Sequence, residues 1–185
     1  MTLAADWLRR MKGAKFKPDS ITYNRLISGC ASRGDADGAS RWLGRMRTAR
    51  LKPDEVSFNS AIHACAKAGR SREAKAWLER MSQELIRPSV VSWSALVSAC
   101  AAEGGAEAKQ LAEDSFRKMV AQGVQPDLYT LAALDRSLGR ERRRQLLEDL
   151  LGAEGTAEAQ ARAPAPRLRG RSREPRPESL PLRVA

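Results

Sequence analysis

A repeat of fixed period governs what this chain can fold into. Pro18, Pro53 and Pro88 stand 35 residues apart, and Pro126 follows Pro88 after 38 residues. The segments between these prolines agree in residue type at many shared offsets. These include Tyr23, Phe58 and Trp93; Cys30, Cys65 and Cys100; Gly34 and Gly69; Trp42 and Trp77; and Met46 and Met81. A period of this length is typical of stacked helical hairpins, because no single hairpin buries its apolar face alone.

Each unit has the pattern of two amphipathic helices separated by a glycine. In the first unit Tyr23, Ile27 and Cys30 share one face of a first helix, and Trp42 and Met46 share one face of a second. A proline ends each unit because it cannot continue the preceding helix. The sequence therefore predicts an all-α fold, a right-handed α-solenoid of antiparallel helix-turn-helix repeats with a disordered basic C-terminal tail.

The register divides the chain into six segments. They are a half repeat at 1–17 that holds only a second helix, repeats at 18–52, 53–87 and 88–125, a degenerate fourth unit at 126–154, and an Arg/Pro-rich tail at 155–185. The half repeat is expected to expose apolar surface around Trp7, which indicates a truncated sequence, a fragment of a longer array or an edge that meets a partner. The third repeat carries about three extra residues near Gly104 and Gly105, which we expect to lengthen the turn between its helices.

Composition limits the partner and the compartment. The formal net charge is +11 and the pI is about 10.3, which favours an acidic partner such as nucleic acid or an anionic membrane surface. The sequence lacks the roughly 18 continuous apolar residues that a membrane helix needs. It also shows no signal or targeting peptide at its start. Three cysteines leave at least one unpaired, which favours a reducing compartment over a disulfide framework.

The motifs PDSITYNRLISG, KPDEVSFNSAIHACAKAG and RPSVVSWSALVSAC resemble the pentatricopeptide repeat family in order, spacing and residue type. The resemblance covers roughly residues 1–151. The tetratricopeptide repeat, which usually binds peptides, is the nearest competitor, but its period is 34 residues and its first-helix signature is not found here. The resemblance implies binding of single-stranded RNA, with about one base per repeat read by two or three side chains.

The resemblance also implies which residues contact the RNA. Counted from the second residue after each proline (Ser20, Glu55 and Val90), the fifth and last residues of each repeat would read the base edge, and the second residue would pack against the base faces. The implied base-reading pairs are Asn24 with Asp54, Asn59 with Ser89, and Ser94 with Asp127; the implied packing residues are Ile21, Val56 and Val91. By the code of the family, these pairs favour uridine, cytidine and guanosine in turn. Ala132 stands at the base-reading position of the fourth unit.

Several of these residues also have a purely structural interpretation. Asp54, Ser89 and Asp127 occupy helix N-cap positions. The cations before the repeat-ending prolines, Lys17, Lys52 and Arg87, either contact phosphates or stabilise helix C-termini through the macrodipole.

The remaining candidates are assigned to the core. We expect the tryptophans of the second helices to pack in the core rather than stack on bases, and the three cysteines to be small buried residues too far apart to share a metal. His63 is expected to be structural or solvated.

No catalytic motif is recognisable in the sequence. A deaminase would require His-x-Glu followed by Cys-x-x-Cys, and phosphate-cradling glycine loops and nucleophile elbows are also not found. We therefore predict a binding protein rather than an enzyme, with no cofactor and no metal, acting as an RNA adaptor in RNA processing or stability. The rival interpretation is a scaffold that binds a protein or peptide on the same surface. A protein partner or a second copy is expected at the N-terminal half repeat, a membrane is not, and family habit points to the mitochondrion or plastid.

Overall fold

The computed structural model describes residues 10, 11, 13 and 16–161, and within them the regular structure is helical throughout. For residues 151 and 153–161 only the backbone is described. The helices from residue 20 onward are α1 (Ser20–Arg33), α2 (Ala36–Thr48), α3 (Glu55–Ala68), α4 (Ser71–Gln83), α5 (Val90–Glu103), α6 (Gly105–Ala121), α7 (Leu128–Leu138) and α8 (Arg140–Ala161). Residues 18–52, 53–87 and 88–125 thus each contain one helical pair, and the all-α solenoid predicted from the sequence is confirmed.

Polar caps begin the first helices, and glycines close two of them. The side chains of Asp19, Asp54 and Asp127 accept hydrogen bonds from backbone N–H groups of the first turns of α1, α3 and α7. Gly34 and Gly69 follow α1 and α3 with φ of 70° and 66°, a left-handed conformation that favours glycine. A Cβ added at Gly34 would lie 3.2 Å from the Cβ of Lys67 in the next repeat, so this glycine also permits close packing of repeats.

The second helices end in a shared backbone motif. Arg50, Leu85 and Gly123 occupy one register of the three repeats, with φ of 58°, 62° and 72°. The residue after each of them donates its N–H to the carbonyl of a buried methionine, for example from Leu51 to Met46 at 3.0 Å. This is the Schellman arrangement, which usually places glycine at the left-handed residue. Two of the three repeats carry a side chain there and bear the associated strain.

The helices form two layers. The first helices pack side by side, α1 on α3, α3 on α5 and α5 on α7, while each second helix packs against the first helix of its own repeat and of the next. Because the first helices approach one another more closely, they form the concave layer of the array. The core lies between the layers and its largest fully buried side chains are Tyr23, Ile27, Leu43, Met46, Phe58, Ile62, Met81, Leu96, Phe116, Met119, Leu134 and Leu146.

The insertion in the third repeat extends a helix and not the turn, so our expectation of a longer turn is wrong. Only Gly104 separates α5 from α6, and α6 has 17 residues where α2 and α4 have 13. The added residues form an extra turn at the start of α6. Ala106, Glu107 and Ala108 are strong helix formers, and Ala108 is buried, so the inserted segment gains more as helix than as loop.

The fourth unit ends the array with polar contacts. Asp135 stands at the register that Ile27 fills in the first repeat, and its Oδ1 lies 2.9 Å from Nε of Arg143 on α8. Leu146 and Leu147 of α8 are fully buried, so α8 still covers the core. Helical backbone continues to Ala161 after a break at Gly152, which overlaps the first residues of the predicted tail. Most of the predicted half repeat, including Trp7, and residues 162–185 lie outside the described residues.

Two further features of the described chain bear on function. None of its helices has the length and apolar character needed to span a bilayer. Cys30, Cys65 and Cys100 are buried free thiols, as expected for small core residues. Burial raises the pKa of Cys65 and of Cys100 to about 11, which keeps both thiols protonated and unreactive at neutral pH.

Candidate nucleic-acid interface

Apolar side chains project from the first helices at one position per repeat. Ile21, Val56 and Val91 are 64%, 54% and 55% exposed, although hydrophobic side chains of this size are usually buried. The opposite face of the same helices carries the buried residues, such as Tyr23 in α1 and Phe58 in α3. The exposed residues therefore belong to a second, outward-facing stripe. Their spacing of one repeat is the arrangement implied for residues that pack between successive bases.

Tyr129 continues this series in the fourth unit and was missed by the sequence analysis. It lies three residues after Pro126, as Ile21 lies three residues after Pro18, and it is 76% exposed. The shared offset from the proline is the signal for Tyr129 in the sequence, although the fourth unit departs from the repeat pattern at other positions, such as Asp135. An aromatic ring at this position provides a larger flat surface than the aliphatic side chains of the other repeats.

The first of the predicted base-reading pairs, Asn24 with Asp54, is joined by hydrogen bonds in the structure. Nδ2 of Asn24 donates to Oδ1 and Oδ2 of Asp54 at 3.0 and 2.9 Å, across the boundary between the first two repeats. Asn24 and Ile21 are three residues apart on α1, so both project from one face of the helix. An amide and a carboxylate thus stand beside an exposed apolar side chain. Oδ1 of Asn24 and Oδ2 of Asp54 each keep a lone pair that is able to accept a further hydrogen bond.

A buried hydroxyl holds this pair in place. Oγ of Ser57 lies 2.5 Å from Oδ1 of Asn24 and 2.8 Å from Oδ1 of Asp54, and it accepts from the Asp54 N–H at 3.2 Å. Ser57 itself is inaccessible to solvent. Since its position is set by packing and by the capping box at the start of α3, it orients both side chains before any ligand binds.

The same hydroxyl register recurs in every repeat and was also missed. Thr22, Ser57, Ser92 and Thr130 each lie three residues after the cap of a first helix. A hydroxyl three residues after Asp or Ser is a capping-box signal that the sequence does contain. What the sequence does not reveal is the bond to the preceding repeat, because that bond depends on how the repeats stack.

The second pair is held more loosely. Oγ of Ser92 donates to Oδ1 of Asn59 at 2.6 Å, which repeats the contact of Ser57 with Asn24. Oγ of Ser89 lies 3.5 Å from Oγ of Ser92, and Nδ2 of Asn59 donates to Oε1 of Glu55 on its own helix at 3.3 Å. Because Ser89 has a shorter side chain than Asp54, no bond between Asn59 and Ser89 is found in the described chain.

The third pair is not brought together. The hydroxyl of Ser94 donates weakly to the Val91 carbonyl at 3.4 Å, and Asp127 accepts from the Thr130 backbone and hydroxyl at 2.8 and 2.7 Å. Within the described residues no hydrogen bond joins Ser94 to Asp127. Asp127 acts as an N-cap here, and a hydroxyl on the short Ser94 side chain does not span the gap that the amide of Asn24 spans.

Hydrogen bonding keeps Asp54 ionised. Partial burial acts to raise its pKa, but the backbone and side chain of Ser57 and the Asn24 amide donate to the carboxylate and lower the pKa below its ordinary value of 3.8. The carboxylate is therefore an acceptor at any physiological pH. A carboxylate in this state accepts hydrogen bonds from N–H donors and disfavours an acceptor presented at the same place.

The three predicted phosphate-contacting cations are exposed and lie just before the first helices. Lys17, Lys52 and Arg87 each precede the proline that opens a repeat. Arg87 donates to the carbonyl of Gln122, the C-cap residue of α6, at 2.9 Å. This contact stabilises the C-terminus of α6, the structural alternative to phosphate binding, and it occupies part of the Arg87 guanidinium.

Trp42, Trp77 and His63 lie where a purely structural interpretation of the sequence predicts. Trp42 and Trp77 are buried at 4% and 8% exposure, which confirms that they pack in the core. His63 is exposed one turn beyond Asn59 on the outward face of α3. Although the side chain reaches the surface, neighbouring protein atoms partly desolvate the ring, and this desolvation together with the nearby charge of Lys67 lowers the pKa of His63, so the ring is neutral at neutral pH. The described residues contain no group of three or more side chains able to hold a metal ion.

Sequence and structure comparisons agree with this architecture. Residues 18–67 and 53–102 match the PPR repeat family, that is, pentatricopeptide repeats, over two overlapping pairs of units. No curated protein gives a significant match to the chain.

Solved structures of pentatricopeptide repeat proteins show the same fold. The chain superposes on PPR10 in complex with an 18-nt psaJ RNA element, with a TM-score of 0.65 and 24% identity over 84% of this chain and 24% of that chain. A crystal structure of PPR10 from maize gives a TM-score of 0.65 at 23% identity, with the same shares covered. The PPR domain of Arabidopsis thaliana protein-only RNase P 1, in complex with tRNA, gives 0.61 at 18% identity over 87% of this chain and 79% of that chain. The chain thus spans about a quarter of the length of PPR10.

Proposed function

Since the chain belongs to the pentatricopeptide repeat family, we propose that it binds single-stranded RNA along its first helices, with about one base per repeat. The observation that carries this proposal is that exposed apolar side chains and hydrogen-bonding side chains lie next to each other on the first helices. Ile21, Val56 and Val91 offer apolar surface once per repeat, and Asn24 joined to Asp54 offers hydrogen-bonding groups at the same level of the array.

The geometry suits a base held edge-on. Its faces would pack between side chains of successive repeats, such as Ile21 and Val56, and its Watson–Crick edge would meet Asn24 and Asp54. Single-stranded RNA exposes both the faces and the edges of its bases, whereas a duplex hides them. Because the first pair is preorganised by Ser57, little ordering cost arises on binding.

Discrimination should differ along the array. The joined pair Asn24–Asp54 favours uridine, the looser Asn59 with Ser89 favours cytidine, and the separated Ser94 and Asp127 favour guanosine. We expect the strongest preference at the first base, because only there does the structure fix both side chains.

Positive charge supplies affinity that is independent of sequence. Lys17 and Lys52 are exposed beside the first helices and suit phosphate contacts, and Arg87 keeps donors beyond its bond to Gln122. Each phosphate neutralised releases counterions, so affinity falls steeply with salt. If each base contributes about 1–3 kcal/mol, three bases give modest specificity and the charge must supplement them.

The protein is proposed to act without catalysis, as an adaptor in RNA processing or stability. It would block other factors from a short segment or present that segment to an enzyme. PPR10 and the RNase P 1 domain were crystallised with RNA, in keeping with an RNA partner for this fold. A mitochondrial or plastid location follows from family habit, and microscopy of the tagged chain in its own cells tests it.

Fluorescence anisotropy with a short labelled RNA tests the binding proposal. Val56→Asp should weaken binding about tenfold, because it removes packing on a base and adds a charge that repels phosphate. Leu85→Asp is the matched control, since Leu85 is 94% exposed at the end of α4, away from the first helices, and should leave affinity within about twofold. Equal losses in both variants, or equal competition by duplex RNA, would show a generic basic surface. Competition by an amphipathic peptide but not by RNA would show a protein scaffold.

A further inference from the structure

The outward face of α7 carries a different set of side chains from the same face of the three repeats. Tyr129, Ala132 and Arg136 lie at intervals of three and four residues, so they share one face of the helix, and all three are exposed. Leu131 and Leu134 on the opposite side are buried in the core. Because α7 packs beside α5 in the concave layer, this exposed stripe continues the surface formed by the first helices of the repeats.

The first position of the stripe changes from an aliphatic to an aromatic side chain. Ile21, Val56 and Val91 occupy it in the repeats, and Tyr129, which is 76% exposed, occupies it in the fourth unit. Every nucleobase has a π face, so stacking on an aromatic ring requires no particular base. A ring exposed to this degree is open to a base without rearrangement of the helix.

The second position loses its hydrogen-bonding groups. Asn24, Asn59 and Ser94 stand there in the repeats, whereas the fourth unit has Ala132, whose methyl group neither donates nor accepts a hydrogen bond. A base stacked on Tyr129 therefore meets no edge-reading group of α7 at this level. The fourth unit lacks the side chain to which base discrimination is assigned in the repeats.

The third position gains a positive charge. Arg136 lies two helical turns after Tyr129, at the offset where the repeats have Ser28, His63 and Ser98. Seven residues of helix separate the two side chains by about 10 Å along the axis, a gap that an extended arginine and one nucleotide bridge together. A guanidinium binds phosphate oxygens through charge-assisted hydrogen bonds. The face of α7 thus offers a ring for a base and a cation for a phosphate.

Neighbouring arginines are paired within the protein, whereas Arg136 is not. Nε of Arg143 lies 2.9 Å from Oδ1 of Asp135, and a guanidinium nitrogen of Arg144 lies 2.8 Å from Oε1 of Glu141. Arg136 forms no ion pair with any residue that the structure describes, so no carboxylate there neutralises its charge. Its guanidinium is available to an anionic partner on the same face as Tyr129.

We propose that the fourth unit binds one further nucleotide of the RNA strand, stacking the base on Tyr129 and donating to a phosphate from Arg136, without reading the base edge. This inference rests on the proposed RNA binding and extends it. The three repeats select bases, while the fourth unit adds affinity that depends little on sequence. A purine binds somewhat more tightly here than a pyrimidine, because its larger face stacks better.

RNAs with one altered nucleotide test how the base is held. Ultraviolet crosslinking of the full chain to a short single-stranded RNA, followed by mass spectrometry, should identify a nucleotide joined to Tyr129. At that nucleotide an unsubstituted purine ring should bind within about threefold of adenine and guanine, because only edge groups differ. An abasic residue should bind roughly tenfold more weakly by fluorescence anisotropy. No crosslink to α7, a larger preference between the purines, or no loss with the abasic residue would overturn the proposal.

Variants of Tyr129 test the stacking contact. Tyr129→Ala should weaken binding of the unmodified RNA roughly tenfold, and Tyr129→Phe, which keeps the ring, should bind within about twofold of the natural chain. The abasic RNA should lose nothing further in Tyr129→Ala, since the ring and the base act as one contact. Equal affinity of Tyr129→Ala and the natural chain, or additive losses, would overturn the stacking contact.

The phosphate contact has a matched control on α8. Arg136→Ala should reduce the slope of log affinity against log salt by about one, because one phosphate contact is lost. Arg144→Ala removes an arginine that is already paired with Glu141 and should leave the slope unchanged. Equal slopes in the two variants would overturn the role of Arg136.

This inference and the proposed function fail in different ways. RNA binding that Val56→Asp weakens and Tyr129→Ala leaves unchanged would overturn the nucleotide site on α7 alone. No saturable binding of single-stranded RNA by the natural chain would overturn the proposed function and this site with it.

Discussion

Replacing Ser57 by alanine tests the link between two repeats at its most buried polar atom. The Ser57 hydroxyl has one proton, and it lies within hydrogen-bond distance of Asn24 at 2.5 Å and of Asp54 at 2.8 Å. It also accepts from the Asp54 N–H. Ser57→Ala removes all of these contacts and leaves the carbonyl of Asn24 and the N–H of Asp54 without this partner.

The expected decrease in stability of Ser57→Ala follows from the burial of the Ser57 hydroxyl. Removing one partner of a buried hydrogen bond costs about 1–3 kcal/mol, and the lost capping box falls within that range rather than adding in full. We predict a decrease of about 1–3 kcal/mol in the free energy of unfolding, measured by urea denaturation with far-UV circular dichroism. Ser57→Thr is the control, because Thr22 and Thr130 occupy the same register and Thr130 is equally buried, so it should stay within about 1 kcal/mol of the natural chain.

A double-mutant cycle separates the link from the cap. Asn24→Ala removes the partner in the preceding repeat, so the Ser57 and Asn24 substitutions should couple by about 0.5–1.5 kcal/mol. A loss below about 0.5 kcal/mol in Ser57→Ala, or additive effects in the cycle, would refute the role assigned to this hydroxyl.

Three further predictions concern other parts of the array. Glu103 accepts from the N–H of Ser71 at 2.8 Å and caps α4 from the next repeat, so Glu103→Gln should destabilise the chain by about 1 kcal/mol in the same urea assay. Because its hydrogen bonds to Ser71 lower the pKa of Glu103 from 4.5, this stabilisation is present above pH 4.5, is lost as pH falls through the lower folded pKa, and should not titrate in the variant. Leu85→Gly should raise the free energy of unfolding by about 0.5–1 kcal/mol, because Leu85 is exposed and has a left-handed backbone that favours glycine. Gly123→Ala at the same register should lower it by a similar amount. A lower free energy of unfolding in Leu85→Gly would contradict the backbone strain assigned to Leu85. His63 should gain its proton below its ordinary pKa of 6.5, so RNA affinity measured by anisotropy should rise on acidification, and His63→Gln should show no such rise.

The repeat architecture followed from sequence because one pattern decides it at every level. The apolar spacing of α1 and α2, the proline before each unit and the glycine after α1 all indicate the same hairpin. The caps Asp19 and Asp54 were predictable for the same reason, since a cap depends on a few neighbouring residues. The insertion was misplaced because glycine suggested a turn, while the alanines and glutamate after it favoured helix.

Contacts between repeats were much harder to predict. The bond from Ser57 to Asn24 spans 33 residues, and the cap that Glu103 provides to Ser71 spans 32. Neither leaves a local pattern, because the rotation between stacked repeats determines which side chains meet. The separation of Ser94 from Asp127 is likewise a contact between repeats, since it depends on the gap between α5 and α7 that the short Ser94 hydroxyl does not span. Sequence therefore identifies the positions of the proposed RNA surface, while the structure decides which of them act together.

Exchange of the first base reader tests the central claim most directly. Asn24→Ser converts the Asn24–Asp54 pair to the type found at Ser94 and Asp127, and the dissociation constants of short RNAs that differ only at one base give the readout. Preference at the first base should move from uridine towards guanosine, while preference at the second base, opposite Asn59, should be unchanged. Unaltered preference at both bases, or a uniform loss of affinity for every RNA, would contradict it.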